Sequence, residues 1–180
     1  MRLERTESIG LVIDIQERLV PVMYKKDEFV LNSGKLVMGL QELNVPLLVT
    51  QQYTKGLGDT IAEISTLIGH FSYIEKSSFS CCDEPLFMDA LQKSGAKNVL
   101  IGGIESHICV LQTAIDLRAA GYNPVIVFDC VSSRSKQNLK LALERFRFEN
   151  IMVTGSESLL FELTKSSKDR SFKNISKLVK

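Results

Sequence analysis

Asn98-Val99-Leu100-Ile101-Gly102-Gly103-Ile104-Glu105-Ser106-His107-Ile108-Cys109-Val110 (98–110) decides how this chain is read. Its first half is short and apolar on both faces, with β-branched Val99 and Ile101. That is the pattern of a strand covered by helices on either side. The Gly102-Gly103 pair ends the strand, and Ser106 reads as the N-cap of a helix over 107–120 that stops at Gly121. The same alternation continues in both directions. Apolar runs at 9–15, 45–50, 71–74, 124–128 and 151–154 read as strands. Helical periodicity occupies 28–44, 59–68, 84–94, 134–147 and 157–164, with Gly95 as a C-terminal stop and Ser133 as an N-cap. Six strands alternating with helices imply a six-stranded parallel sheet with right-handed crossovers, a three-layer α/β/α sandwich of Rossmann-like topology.

The composition agrees with one such unit. At 180 residues, 44% hydrophobic and 24% charged, the chain reads as a single domain spanning 1–180, long enough to bury a core without disulfide or metal staples. These values exclude a disordered or fibrous chain. A net charge of +1 supplies no global field for nucleic acid or an anionic membrane. The segment 164–180 is locally basic, six Lys or Arg against Asp169, but Phe172, Ile175, Leu178 and Val179 recur at helical spacing. It reads as a terminal helix docked on the body with a solvated basic face. No apolar run approaches the ~18 residues of a membrane span, and residues 1–8 are too charged for a targeting segment. Cys81, Cys82, Cys109 and Cys130 show no CxxC spacing, which suits a reduced chain in the cytoplasm. His70 and His107 lack paired zinc spacing, and GxGxxG, GxxxxGK and GxSxG are missing, so no metal or other cofactor is expected.

In open parallel sheets ligands bind beyond the carboxyl ends of the strands. Those ends carry Asp14 and Gln16, Gln51 and Gln52, Glu75 and Lys76, residues 105–109, and Asp129. Cys109 falls in the first turn after the 98–103 strand, where unsatisfied backbone N–H groups and the helix dipole favour thiolate. As a small core residue it would instead belong to the helix's apolar stripe. Ile108, Leu111, Ile115 and Ala119 mark that stripe, and Cys109 lies about 100° from its middle, toward Thr113 and Asp116. Asp14 interrupts an apolar strand, where a carboxylate needs a partner or serves as a helix cap. Lys76 ends the third strand, and alone reads equally as a solvated lysine. Together the three would supply base, charge stabiliser and nucleophile.

Five stretches resemble the isochorismatase-like cysteine hydrolases, which include nicotinamidases and N-carbamoylsarcosine amidases. They are Leu-Val-Ile-Asp-Ile-Gln (11–16), Glu-Lys-Ser-Ser-Phe-Ser (75–80), Gly-Gly-Ile-Glu-Ser-His-Ile-Cys-Val (102–110), Asp-Cys-Val-Ser-Ser-Arg (129–134) and Ser-Glu-Ser-Leu-Leu-Phe-Glu-Leu (156–163). Within the family the chain is similar to the short isochorismatase-domain proteins through Gln-Gln-Tyr-Thr-Lys-Gly-Leu-Gly (51–58); some of these have carried a ribonuclease label. The resemblance implies a triad of Asp14, Lys76 and Cys109. It also implies a cis peptide at Ile104–Glu105 that aims the N–H groups of Glu105 and Cys109 into an oxyanion hole. Gln16, Gln52, Tyr53 and Phe79 read as pocket residues for a small-molecule substrate, and each reads equally as a structural residue. Nicotinamidases hold a metal through an Asp-x-His segment where this chain has Gln51-Gln52-Tyr53, so the implied hydrolase is metal-independent and nicotinamide a poor candidate substrate. Isochorismatases proper lack the cysteine, so Cys109 implies attack at a carbonyl or C–N centre. The family's members form homo-oligomers, which implies a dimer or tetramer. The alternatives are a catalytically silent binding protein on the same fold, a thiol redox role for Cys81 or Cys82, and a nucleic-acid enzyme, the last supported only by the basic tail.

Overall fold

The apolar runs become β1 (Ser8–Ile13), β2 (Leu47–Gln52), β3 (Ile74–Lys76), β4 (Asn98–Gly103), β5 (Asn123–Val131) and β6 (Met152–Thr154) in the computed structural model, which describes residues 2–180. All neighbouring pairs are parallel, in the order β3-β2-β1-β4-β5-β6. The winding reverses between β1 and β4, and this is where such sheets open a crevice at their carboxyl end.

Alternation along each strand feeds two faces. Ile9, Leu11 and Ile13 of β1, Val99 and Ile101 of β4, and Ile126 of β5 share a core with α4 (Pro85–Ser94), α5 (Leu111–Ala119) and α6 (Lys136–Phe148). Leu100, Val125 and Val127 point the other way, against α1 (Lys26–Glu42), α7 (Ser156–Thr164) and α8 (Phe172–Val179). With both faces covered, every residue of β1 and β4 is buried, and the sequence reads as unbroken apolar runs. The basic tail docks as expected. Ile175 of α8 is fully buried, Phe172 lies against Phe161 with ring centroids 6.2 Å apart, and Arg5 pairs with Asp169 at 3.1 Å.

Several boundaries differ from the sequence expectation. The strand expected at 71–74 forms at β3, because its ladder is set by pairing Thr50, Gln51 and Gln52 with Ile74, Glu75 and Lys76. For the same reason β2 runs beyond 50. The helix expected over 59–68 contracts to a single turn, α3 (Ala62–Ser65), and a short α2 (Thr54–Leu57) precedes it. Ser133 is not the cap of α6. Ser135 is, its hydroxyl accepting from the Asn138 N–H at 3.1 Å, while Ser133 Oγ bonds His107 Nδ1 at 3.0 Å. Nor does Ser106 cap the helix after β4. It begins a wide π turn, Ser106–Val110, in which the Val110 N–H reaches back to Glu105 O at 3.2 Å.

One glycine controls how closely β4 approaches β1. Gly103 has φ +134°, and a Cβ there would sit 2.2 Å from Ile13 O and 2.6 Å from Ile13 N. Only a residue without a side chain allows the two strand ends to meet. The chain then passes through the cis peptide Ile104–Glu105 into the π turn.

Candidate active site

Asp14 follows β1 directly, in the left-handed region at φ 52° that aspartate tolerates better than most residues. Its N–H is held by Thr50 O at 3.2 Å, and its Oδ1 accepts from the Thr50 hydroxyl at 2.8 Å. Lys76, the last residue of β3, reaches across β2 so that Nζ sits 2.7 Å from Asp14 Oδ2, with both side chains fully shielded from solvent. Three further acceptors surround Nζ: Gln52 Oε1 at 2.6 Å, Ser78 O at 3.0 Å and Phe79 O at 3.3 Å. Cys109 comes from the π turn after β4, buried, and lines the same cavity as Asp14, close enough for each to shift the other's protonation. Three strand ends thus bring Asp14, Lys76 and Cys109 to one point.

Electrostatics there reverse one expectation. Burial, and then the Asp14 carboxylate, push the Cys109 thiol up to about 12, more than the Lys76 ammonium pulls it down. The resting thiol is protonated, because desolvation at this depth outweighs the helix dipole. Burial likewise raises Asp14, against the opposing pull of Lys76, Thr50 and Cys109, which makes it a stronger base than an exposed aspartate. Burial works against the charge of Lys76, but Asp14, Cys109 and Cys81 together hold it above the ordinary lysine value.

Asp14 and Cys109 face a cavity of about 110 Å³. Gln52, Glu105 and Phe79 line it, as do Leu19, Leu57, Ile104 and Ile108. Of the residues expected in the pocket, Gln52 and Phe79 are there and Gln16 and Tyr53 are not. Gln16 is fully buried and spends its amide on the loop wall, donating to Gln52 O at 3.0 Å and Gly58 O at 2.7 Å and accepting from Gln52 N at 2.7 Å. Tyr53 is exposed, its ring placed against Gly56. Glu105 contributes a wall, its carboxylate held by Arg134 Nε and N, each at 3.1 Å. The sequence reading places none of Leu19, Leu57 and Ile108 in the pocket, and it does not single out Thr50. Thr50 occupies the register position opposite Ile13, next to Asp14, which is the signal that could have found it. A larger cavity of about 510 Å³ lies outside α1 and has no cysteine in its wall.

The position where nicotinamidases carry metal ligands does not fit a metal here. Gln51 Oε1 is taken by the N–H and hydroxyl of Thr60, both at 2.9 Å, and Gln52 Oε1 by Lys76. Among the described residues no group of three or more His, Cys, Asp or Glu side chains could hold a metal ion. No helix among them is long and apolar enough to cross a membrane.

The sheet order and the crevice between β1 and β4 define a doubly wound α/β protein with a thiol, a carboxylate and an ammonium at its switch point. The chain belongs to the isochorismatase family: residues 8–158 match the isochorismatase domain. It is 35% identical over 172 residues to isochorismatase family protein 1A of Dictyostelium discoideum, covering 93% of this chain and 84% of that one. It is 36% identical over 186 residues to the secreted isochorismatase effector Isc1 of Phytophthora sojae, covering 99% and 87%. Among solved structures, the MAR1 ribonuclease of Caenorhabditis elegans superposes with a TM-score of 0.93 at 34% identity, covering 99% of this chain and 92% of that one. Family and fold together place the chain among isochorismatase-type hydrolases.

Proposed function

We propose that the chain is a metal-independent cysteine hydrolase of a small amide-like substrate, with Cys109 as nucleophile, Asp14 as proton carrier and Lys76 as charge stabiliser. The observation that carries it is the convergence of these three side chains at one end of a pocket, two of them fully buried. Asp14 takes the thiol proton as Cys109 Sγ attacks the carbonyl carbon, so thiolate forms only when there is a carbon to receive it. The N–H groups of Glu105 and Cys109 receive the oxyanion. Collapse gives a thioester, Asp14 passes its proton to the leaving amine, and water then attacks the thioester to release the acid. Lys76 keeps its charge throughout and offsets that of Asp14. The enzyme works in the cytoplasm, which would keep its four free cysteines reduced. It does so as a dimer or tetramer, a state supported by exposed Val22, Leu31 and Met38 on and around α1.

Trapping tests the reading. A small amide substrate quenched in acid should leave an acyl mass on the Cys109 peptide in wild type and none in Cys109→Ser. Adducts confined to other cysteines would refute it. The name of the C. elegans relative makes RNA the second substrate to offer. Cleavage of RNA that persists in Cys109→Ser would favour that reading instead.

A further inference from the structure

Every charged group lining the pocket is matched within the protein. Asp14 Oδ1 accepts from the Thr50 hydroxyl at 2.8 Å, and Oδ2, which makes no hydrogen bond of its own, is ion-paired with Lys76 Nζ at 2.7 Å. Lys76 spends its three N–H bonds on Gln52 Oε1, Ser78 O and Phe79 O and pairs its charge with Asp14, leaving none for the carboxylate of a ligand. Both oxygens of Glu105 lie 3.1 Å from Arg134 Nε. What remains facing the cavity is aliphatic or aromatic apart from the thiol and the Gln52 amide. An ionised substrate would enter without a partner, at a cost that a neutral one avoids. Space is limited as well. About 110 Å³ is below the range of ordinary ligand pockets and corresponds to roughly four water volumes. Ile104 is locked in the core, and Phe79 stands largely exposed at the mouth, so half-buried Leu19, Leu57 and Ile108 set the depth.

Building on the cysteine hydrolase reading, we propose that the substrate is an uncharged carboxamide with a short aliphatic acyl group of about two or three carbons, its length limited by Leu19, Leu57 and Ile108. The reaction balances without a co-reactant other than water. Sγ–C forms as the C–N bond breaks and ammonia leaves with the thiol proton; water then cleaves S–C, giving the carboxylic acid and the free thiol.

The test measures ammonia release from acetamide, propionamide, hexanamide, anionic malonamate and cationic glycinamide. Acylation of Cys109 by p-nitrophenyl acetate is followed in parallel by peptide mass. Propionamide should exceed acetamide by about fourfold in kcat/KM, one methylene's worth of burial. Hexanamide and both ions should fall about tenfold or more below propionamide. Leu57→Ala and, independently, Ile108→Ala should raise hexanamide relative to propionamide. If Cys109 is acylated by the ester but an ion outruns propionamide, or neither variant moves the hexanamide ratio, or no amide turns over, this substrate class is wrong and the nucleophile stands. If Cys109 accepts no acyl group and no amide is cleaved, the hydrolase reading falls and takes the substrate class with it.

Discussion

Lys76 Nζ and Asp14 Oδ2 are 2.7 Å apart with neither side chain reaching solvent, a buried ion pair joining the ends of β3 and β1 across β2. Removing one partner of such a pair leaves an uncompensated charge, which costs about 3–5 kcal/mol. Lys76→Met should therefore be strongly destabilised in urea titration, and Asp14→Asn/Lys76→Met less so. The single variant should also depend on pH in a defined sense. Burial raises Asp14 in the folded state even with Lys76 present, and further without it. Between the unfolded value near 3.8 and that raised value the folded chain binds more protons, so stability falls as pH rises. A Lys76→Met protein equally stable on both sides of this window would show that Asp14 is not buried beside Lys76.

Alkylation addresses the thiol. Iodoacetamide is small and neutral, and Cys109 lines the pocket whereas Cys81 and Cys130 are fully buried. Labelling of Cys109 should outpace both at every pH up to 9. Lys76 is the neighbour that lowers the Cys109 value, so Lys76→Met should slow labelling about tenfold for each unit that the thiol rises. Peptide mass spectrometry decides. Preferential labelling of half-exposed Cys82, with Cys109 indifferent to Lys76, would remove the physical basis for a poised nucleophile.

The alkaline side provides a check on the wild type. Burial pushes Cys81 and Cys109 from 9.0 up to about 12, and Lys76 lies above 10.5. Above pH 9 the unfolded chain releases protons that the folded chain keeps. Stability is then full below about pH 9 and declines toward 12, by up to about 1.4 kcal/mol per pH unit for each group. Urea midpoints from pH 8 to 11 should fall, and Cys81→Ala should flatten the slope. A midpoint constant over that range would mean that these thiols titrate as they do in the unfolded chain.

The strand at 98–103 was legible to the residue because both its faces are apolar and Gly102-Gly103 punctuates its end. The helix after it was not. Ile108, Leu111 and Ile115 mark an apolar stripe in sequence, yet the fully buried face is Val110, Thr113, Ala114 and Leu117, one face round. Hydropathy discounts Thr113, whose hydroxyl accepts the Cys81 N–H at 3.0 Å, and Ala114. The π turn adds a residue that a regular helical count omits. At the site, residue types at the strand ends pick out Asp14, Lys76 and Cys109, which the fold brings together. Gln16 and Tyr53 are as near in sequence but do not line the cavity, since a polar side chain beside a pocket is as readily spent on a loop. The sign of the thiol shift was illegible because desolvation depends on everything packed above Cys109, which no local pattern encodes.

Gly103 yields a prediction about packing rather than charge. A Cβ at φ +134°, 2.2 Å from Ile13 O, can be relieved only by moving β4 away from β1, because the atoms it meets are backbone. Gly103→Ala should lose more than about 3 kcal/mol, placing it among the large single-site effects. Because Ile13 carries Asp14 and Gly103 precedes the turn holding Cys109, residual folded protein should also lose iodoacetamide labelling at Cys109. A folded, normally labelled Gly103→Ala would mean that the strand ends need not touch.

Gln16 braces the loop beside the pocket, and its role separates support from substrate contact. Its three bonds tie the Gln52 peptide and Gly58 O to the segment after β1, and thereby fix the stretch bearing Leu57. Gln16→Leu keeps the approximate shape but orphans one N–H and weakens two carbonyls in a buried setting, at about 1–3 kcal/mol for the unsatisfied donor. The loss should be local before it is global, because α2 and the turn after it have little core of their own. Hydrogen exchange should therefore quicken over 51–60 while β1 and β4 stay protected, and the hexanamide-to-propionamide ratio should rise as Leu57 gains freedom. Were Gln16 instead a ligand contact, binding of every amide would weaken and exchange over 51–60 would be unchanged. These outcomes point in opposite directions, so one variant with two readouts decides whether this glutamine holds the wall or touches the substrate.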